Sequence, residues 1–223
     1  MNVALFGGTF DPVHCGHLSA ARAAAESFAL ERIYFVPASL PPHKLNRPIT
    51  PFAHRFAMVA LACAGVPQFI PSLLEAPPES SPESRGEPNY SIVTVRRVAA
   101  SLSPSDRLYF LTGADAFLDL PHWKEWVALL EACDFIIVSR PGFPIAEIAK
   151  VVPAELRTGP GTASSIPLRC STLHLLTTVE ADVSSSEIRR RVAGGKSLAG
   201  LVPDTVADYI QKLNLYHHEH HAD

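Results

Sequence analysis

The sequence predicts an α/β fold: a doubly wound parallel sheet with helices on both faces and a helical C-terminal part. Short apolar runs alternate with stretches of helical periodicity, the order that buries a parallel sheet beneath crossover helices. The chain has 223 residues, 47% hydrophobic and 18% charged, which is enough apolar material for a sizeable core and unlike a disordered chain.

Each element follows in order. NVALF (2–6) is a buried strand. Leu18, Ala21, Ala25 and Phe28 then recur at helical spacing. RIYFVP (32–37) is a second strand, FAHRFAMVALACA (52–64) a helix and QFIPS (68–72) a short strand. A helix is expected over 90–102, a strand over 107–113, a helix over 122–133 (HWKEWVALLEAC) and a strand over 134–142 (DFIIVSRPG). Residues 75–88, rich in Pro, Ser and Glu, read as a surface loop and not a domain boundary, because the alternation resumes after them. Residues 153–171 read as irregular, and no internal repeat is present. Residues 1–223 are therefore expected to form one unit, with a sheet core over 1–180 and a C-terminal part over 181–223. The tail LYHHEHHAD (215–223) holds four of the ten histidines and reads as a solvated, frayed end in preference to a metal site.

Composition narrows the function. A net charge of -3 with no basic block argues against duplex nucleic acid as a partner, while a small polyanion could still be held locally. Cys15, Cys63, Cys133 and Cys170 form no C-x-x-C pair, which suggests reduced thiols in a cytoplasm. The N-terminus lacks a signal-peptide pattern, and NVALF is far too short to span a bilayer, so no membrane role is expected. A homo-oligomer is left open.

GGTFDPVHCGHL (7–18) follows the first strand, and in a parallel sheet ligands bind beyond the carboxyl ends of strands. Gly7 and Gly8 allow close backbone approach and positive φ. Asp11-Pro12 makes a turn. Gly16 and His17 start a helix whose amides and dipole favour a phosphate, and His14 and His17, three apart, can face one anion. Two other readings compete: an H-x-x-H metal pair, which wants further ligands, and a tight connection with incidental histidines.

VSSSEIRRRV (183–192) carries a second signal. Ser184-x-x-Glu187 is a capping box that begins a helix. Ser185 and Ser186 lie in its first turn and Arg189 one turn on, a set suited to a triphosphate or to an ordinary capped surface helix.

On these residues GTFDPVHCGH (8–17) resembles the G-x-F-x-P-x-H-x-G-H signature of the nucleotidyltransferase superfamily, with six fixed residues in ten positions. VSSSEIR resembles that superfamily's I-S-S-T-x-I-R, with Val183 and Ser186 as mild departures. PPHK (41–44), HRFAM (54–58), GADAFLDLPHWKEW (113–126) and LVPDTVADYIQKLNLY (201–216) together are similar to bacterial nicotinate-mononucleotide adenylyltransferases over nearly the whole chain. The segment NYSIVT (89–94) departs from the family's S-Y-T-x-D-T, keeping Tyr90 and Thr94 but carrying Asn89, Ser91 and Val93.

The resemblance implies a Rossmann-like core and a reaction of ATP with nicotinate mononucleotide that gives the dinucleotide and pyrophosphate in NAD biosynthesis. It implies His17, His14 and Arg189 as the catalytic set. ATP would meet Gly8, Thr9, Phe10 and Gly16 from the first motif, Gly113 and Asp115 after the later strand, and Ser184, Ser185 and Ser186 from the second motif. The mononucleotide would meet His43, Lys44, Tyr90, Ser91, Thr94, Trp123 and Arg140. Mg²⁺ is expected through the ATP phosphates, with no dedicated protein ligand. Alternatives stay open: Asp115 as a helix cap, His43 and Lys44 as solvated loop charges, Trp123 as core, and Arg55 and Arg140 in structural ion pairs. So do an adenylyltransferase for nicotinamide mononucleotide or another small phosphate, and a nucleotide-binding sensor without turnover.

Overall fold

The structure is a computed structural model and describes residues 1–41, 48–77, 88–139, 143–177 and 183–217. Seven strands form one sheet in the order β3-β2-β1-β4-β5-β7-β6. They are β1 (Asn2–Gly8), β2 (Arg32–Pro37), β3 (Phe69–Pro71), β4 (Arg107–Gly113), β5 (Asp134–Val138), β6 (Ser165–Pro167) and β7 (Thr172–Leu176). All neighbours pair in parallel except β6, which runs antiparallel to β7 at the edge.

The period of two along β1 divides the core. Ala4 and Phe6 enter one apolar cluster, Val3 and Leu5 the other. The first face is covered by α1 (Cys15–Phe28), α2 (Phe52–Cys63), α7 (Ser185–Ala193) and α8 (Asp204–Lys212), through Leu18, Met58, Ile188 and Val206. The second is covered by α3 (Ser91–Ala99), α4 (Ala114–Leu118), α5 (Trp126–Ala132) and α6 (Ile145–Val151), through Ile92, Phe117, Leu129 and Ile148. Chain order reverses beside β1: β2 lies on one side and β4 on the other. The crevice beyond the carboxyl ends of β1 and β4 is thus the place for a ligand.

Several expectations need correction. The helix expected over 122–133 is two pieces, a 3-10 turn at Leu120–His122 and α5 from Trp126, separated by Glu125 in the left-handed region (φ 50). Helical spacing of the apolar residues ran through a backbone break that periodicity does not register. The strand expected over 134–142 ends at Val138, and 140–142 lie outside the described residues. Residues 153–171 contain a 3-10 turn at Ala154–Leu156 and β6. Gly161 makes the turn into β6: its φ is +67, and a Cβ there would stand 2.6 Å from the Ser165 carbonyl oxygen. The structure adds two elements to the expected order, helix α6 and strand β7. Within the tail, Leu215 and Tyr216 pack against the first cluster, while 218–223 lie outside the described residues. No described helix is long and apolar enough to cross a membrane.

Candidate active site

The first motif forms the floor of a cleft of about 1040 Å³. Its backbone departs from expectation. Neither Gly7 nor Gly8 has a positive φ; the left-handed residue is Phe10 (φ 48). This follows from packing. The Phe10 ring turns back under the strand end against Phe6 and Phe35, at centroid distances of 5.6 and 5.8 Å. A Cβ on Gly8 would meet that ring at 3.1 Å, so close approach is what requires glycine there. Phe10 itself is core and does not line the cleft; Gly8, Thr9, Gly16 and both motif histidines do.

The loop is clamped from beneath. Arg55 of α2 is completely buried. Its guanidinium donates to the carbonyls of Thr50 and Thr9, both at 2.7 Å, and of Ser39 at 3.3 Å. Burial lowers its pKa, with Asp11 and Tyr216 acting in opposition. Asp11 is also buried: Thr50 N–H donates to Oδ2 (3.2 Å) and the Tyr216 hydroxyl to Oδ1 (2.7 Å). Burial, helped by Asp11, pushes the Tyr216 hydroxyl pKa up, so it stays a donor.

Helix α1 has its N-cap at His14, so it opens at Cys15, one residue before the expected start. Cys15 N–H donates to Leu201 O (2.8 Å), and His17 and Leu18 N–H both donate to His14 O. Gly16 is the residue of that turn whose amide has no backbone partner among the described residues. The rings of His14 and His17 lie against each other, tilted by 30°, with centroids 3.7 Å apart. His17 Nδ1 accepts from His14 N–H at 3.2 Å. A neutral imidazole with Nδ1 accepting must carry its proton on Nε2, so His17 presents a neutral N–H donor. Burial, with His14 adding to it, holds the His17 pKa well below the ordinary histidine value. Burial alone pulls His14 down to about 4. His14 Nδ1 is buried with no hydrogen-bond partner among the described residues, an atom that a ligand group can satisfy.

The depressed His14 pKa has a consequence for stability. The unfolded chain takes up this proton near pH 6.5, the folded chain only near 4. The contribution is therefore complete above 6.5 and is lost as the pH falls from 6.5 toward 4, by about 3 kcal/mol in total. Urea unfolding of the parent and His14→Gln between pH 7.5 and 4.5 checks it. The variant is expected to lose less stability over that interval, and equal losses would refute the assignment.

The second motif meets the first. Ser184 caps α7, its Oγ accepting from Glu187 N–H (3.2 Å), and lines the cleft. The Glu187 carboxylate pairs forward with Arg190 and Arg191. Ser185 Oγ donates to Pro12 O (2.9 Å) and Arg189 Nη1 to Asp11 O (2.6 Å), while Arg189 Nη2 reaches Ser186 Oγ (3.4 Å). Ser185, Ser186 and Arg189 thus stand behind the cleft wall, bridging the two motifs across more than 170 residues of chain.

The opposite end of the cleft rests on the second apolar cluster. Tyr90 is the N-cap of α3, and Ser91 opens that helix. Thr94 is buried and donates to Glu75 Oε1 at 2.6 Å. Trp123 packs edge-on against Phe110 with centroids 6.2 Å apart and still lines the cleft, so packing and exposure to a ligand are both realised. Gly113 is the N-cap of α4, so Asp115 is not its cap; it is exposed to the cleft. His43, Lys44 and Arg140 lie outside the described residues.

Sequence reasoning missed four participants. Glu75, assigned to the surface loop, faces the cleft, where burial raises its pKa. Asn89, noted only as a departure, clamps the chain after β2: Leu40 N–H donates to its Oδ1 (2.8 Å) and its own N–H donates to Leu40 O (3.1 Å). Tyr216 and Lys124 are the others. Nothing local marks these residues, because each acts on a partner distant in sequence or merely nearby in space.

A cytidylyltransferase-like family model matches residues 5–191. A relative from Solibacter usitatus (strain Ellin6076), named as a nicotinate-nucleotide adenylyltransferase, is 41% identical over 216 residues, covering 97% of this chain and 100% of its own. One of the same name from Thermus thermophilus is 40% identical with the same coverage. The fold matches the Plasmodium falciparum nicotinic acid mononucleotide adenylyltransferase complexed with NaAD, with a TM-score of 0.72, 22% identity and 98% of both chains covered.

Proposed function

The chain belongs to the cytidylyltransferase-like nucleotidyltransferases and, among them, to the nicotinate-nucleotide adenylyltransferase family, and from that premise we propose how this cleft carries out the transfer. The reaction moves AMP from ATP to nicotinate mononucleotide. A phosphate oxygen of the mononucleotide forms a bond to the α-phosphorus, and the bond from that phosphorus to the β-bridging oxygen breaks. The bridging oxygen leaves with both electrons as part of pyrophosphate. The attacking phosphate is already a competent nucleophile, so no general base is needed, and rate comes from alignment and from donors at the developing charge.

One observation carries the assignment of roles: the amino ends of α1 and α7 converge on the same cleft, with a neutral imidazole N–H donor fixed in the first turn of α1. His17 Nε2–H donates to the α-phosphate. His14 and the Gly16 amide meet the same phosphate run, with Gly8 and Thr9 supplying backbone beneath it. Phe10 acts through its packing. Ser184 meets the β- and γ-phosphates from the cleft wall, and Ser186 and Arg189, which stand behind that wall, join it when the guanidinium leaves Asp11 O for the phosphates. Gly113 admits the adenosine, and Asp115 accepts from a ribose hydroxyl. Tyr90, Ser91, Thr94 and Trp123 frame the pyridine end. His43, Lys44 and Arg140 remain proposed contacts to the mononucleotide.

Mg²⁺ enters with ATP. Among the described residues no group of three or more His, Cys, Asp or Glu side chains could hold a metal, and the donors at the phosphate end suit phosphate oxygens better than a cation. The ion, when bound, neutralises charge on the leaving pyrophosphate. All four cysteines are free, which agrees with a reducing cytoplasm as the place of work.

The test is pyrophosphate release from ATP with nicotinate mononucleotide, nicotinamide mononucleotide or neither. Release that requires the acid mononucleotide is expected. Nucleotide binding with no release under any condition would make the chain a binder and overturn the reading.

A further inference from the structure

Among the described residues that line the cleft, Lys124 is the only lysine or arginine. It follows Trp123 directly, on the stretch between the 3-10 turn at Leu120–His122 and α5. Its ammonium lies over the Tyr90 ring, 4.4 Å from the centroid, with no carboxylate partner among the described residues. A ring face attracts a cation without cancelling its charge. The cleft's other ionisable groups are differently placed, Asp115 being an exposed carboxylate in the first turn of α4. Asp119 is held by His122 at 2.9 Å and Glu75 by Thr94 at 2.6 Å. His14 and His17 are kept neutral by burial.

The position of Lys124 matters as much as its charge. Tyr90 and Trp123 pack on the second apolar cluster, whereas Phe6, Phe10 and Val183, which flank the phosphate-reading groups, belong to the first. Phosphate chemistry and Lys124 therefore sit on opposite sides of the sheet. With the mononucleotide phosphate at His17, its pyridine ring extends toward Tyr90 and Trp123. We propose that Lys124 determines specificity by reading the ring substituent, favouring a carboxylate over a carboxamide. This rests on the reaction assigned above. Two effects of the same charge act together. The ammonium attracts the acid's carboxylate through a charge-assisted contact. It also disfavours the amide, whose ring carries the pyridinium charge with no carboxylate to balance it, and such a repulsive element sharpens discrimination.

The contact is remote from the reacting phosphate, so it acts on binding and is read in KM rather than kcat. It is also exposed, so salt weakens it. The experiment measures kcat/KM for nicotinate and nicotinamide mononucleotides at fixed saturating ATP and Mg²⁺, in the parent, Lys124→Met and Lys124→Arg, with thermal melting as a folding control. In Lys124→Met the acid-to-amide ratio is expected to fall about tenfold, mainly through the acid's KM, the usual scale of a lost bond to a charged group. Lys124→Arg should keep most of the ratio, and added salt should lower the parent's ratio but not that of Lys124→Met. If both substrates weaken together, Lys124 reads the shared phosphate and the proposal fails. An unchanged ratio also overturns it while leaving adenylyl transfer intact. A parent that releases no pyrophosphate with either mononucleotide overturns the reaction itself, and this inference with it.

Discussion

His17→Ala is expected to lower kcat by about 10²-fold or more, the usual cost of removing one preorganised donor at developing charge. The imidazole is placed by four contacts that do not involve substrate: Nδ1 accepts from His14 N–H, and the ring packs against those of His14, Phe6 and Phe10 at 3.7, 5.8 and 5.0 Å. Its proton is therefore already on Nε2 when ATP arrives, and no reorganisation is required. The loss should fall on kcat more than on the KM for ATP, because the bond strengthens as charge grows on the α-phosphate. Removing the ring also opens a cavity against Phe6 and Phe10, so some thermal stability is lost as well. Turnover is accordingly measured well below the variant's melting point. Near-parental turnover in folded His17→Ala would remove this residue from the reaction.

Arg55→Met should produce the largest loss of stability. Methionine roughly matches the buried length but donates nothing. The carbonyls of Thr50, Thr9 and Ser39 then lose together a donor that is itself completely buried. Removing a buried cation relieves its desolvation cost, which offsets part of the damage. The unsatisfied carbonyls outweigh that relief, since each buried polar group left unpaired costs about 1–3 kcal/mol. A net loss of about 3 kcal/mol is expected, or roughly 6–12 °C in Tm for a chain of this size. Activity should fall too, because the bond to Thr9 O holds the loop that carries the phosphate site. Arg55→Lys, which retains one charged donor, should be intermediate. The check is thermal and urea unfolding of both variants; Arg55→Met melting at the parental temperature would show that the clamp is not needed.

Arg55 also shows where sequence reading stops. HRFAM places it in the first turn of a helix, but only the fold shows that its three acceptors lie in two connections, Thr9 after β1 and Ser39 and Thr50 between β2 and α2. Asn89 is similar. In the sequence it is only a departure from the family's segment, whereas in space it ties the α3 entrance to Leu40 through two hydrogen bonds. Helix α6 offered a readable pattern in Ile145, Ile148, Ala149 and Val152, of which Ile148 and Val152 are buried. Strand β6 has three residues and takes its identity from pairing with β7. Such a segment has too few positions for a period to emerge.

The sequence alone determined the β-α alternation, the strand end that carries the glycines and histidines, and the capped start of α7. Each depends on neighbours within about one or two turns, where apolar period, capping chemistry and glycine placement act directly. Only the tertiary structure decided which imidazole nitrogen carries the proton, that Phe10 and not glycine takes the left-handed turn, and that Ser185 and Arg189 fasten α7 to Asp11 and Pro12. It alone brought Lys124 over Tyr90 and Tyr216 onto Asp11. The physical reason is the same in each case. Burial and hydrogen-bond partnership are set by groups far apart along the chain, and a local pattern holds no information about what the folded chain lays beside it.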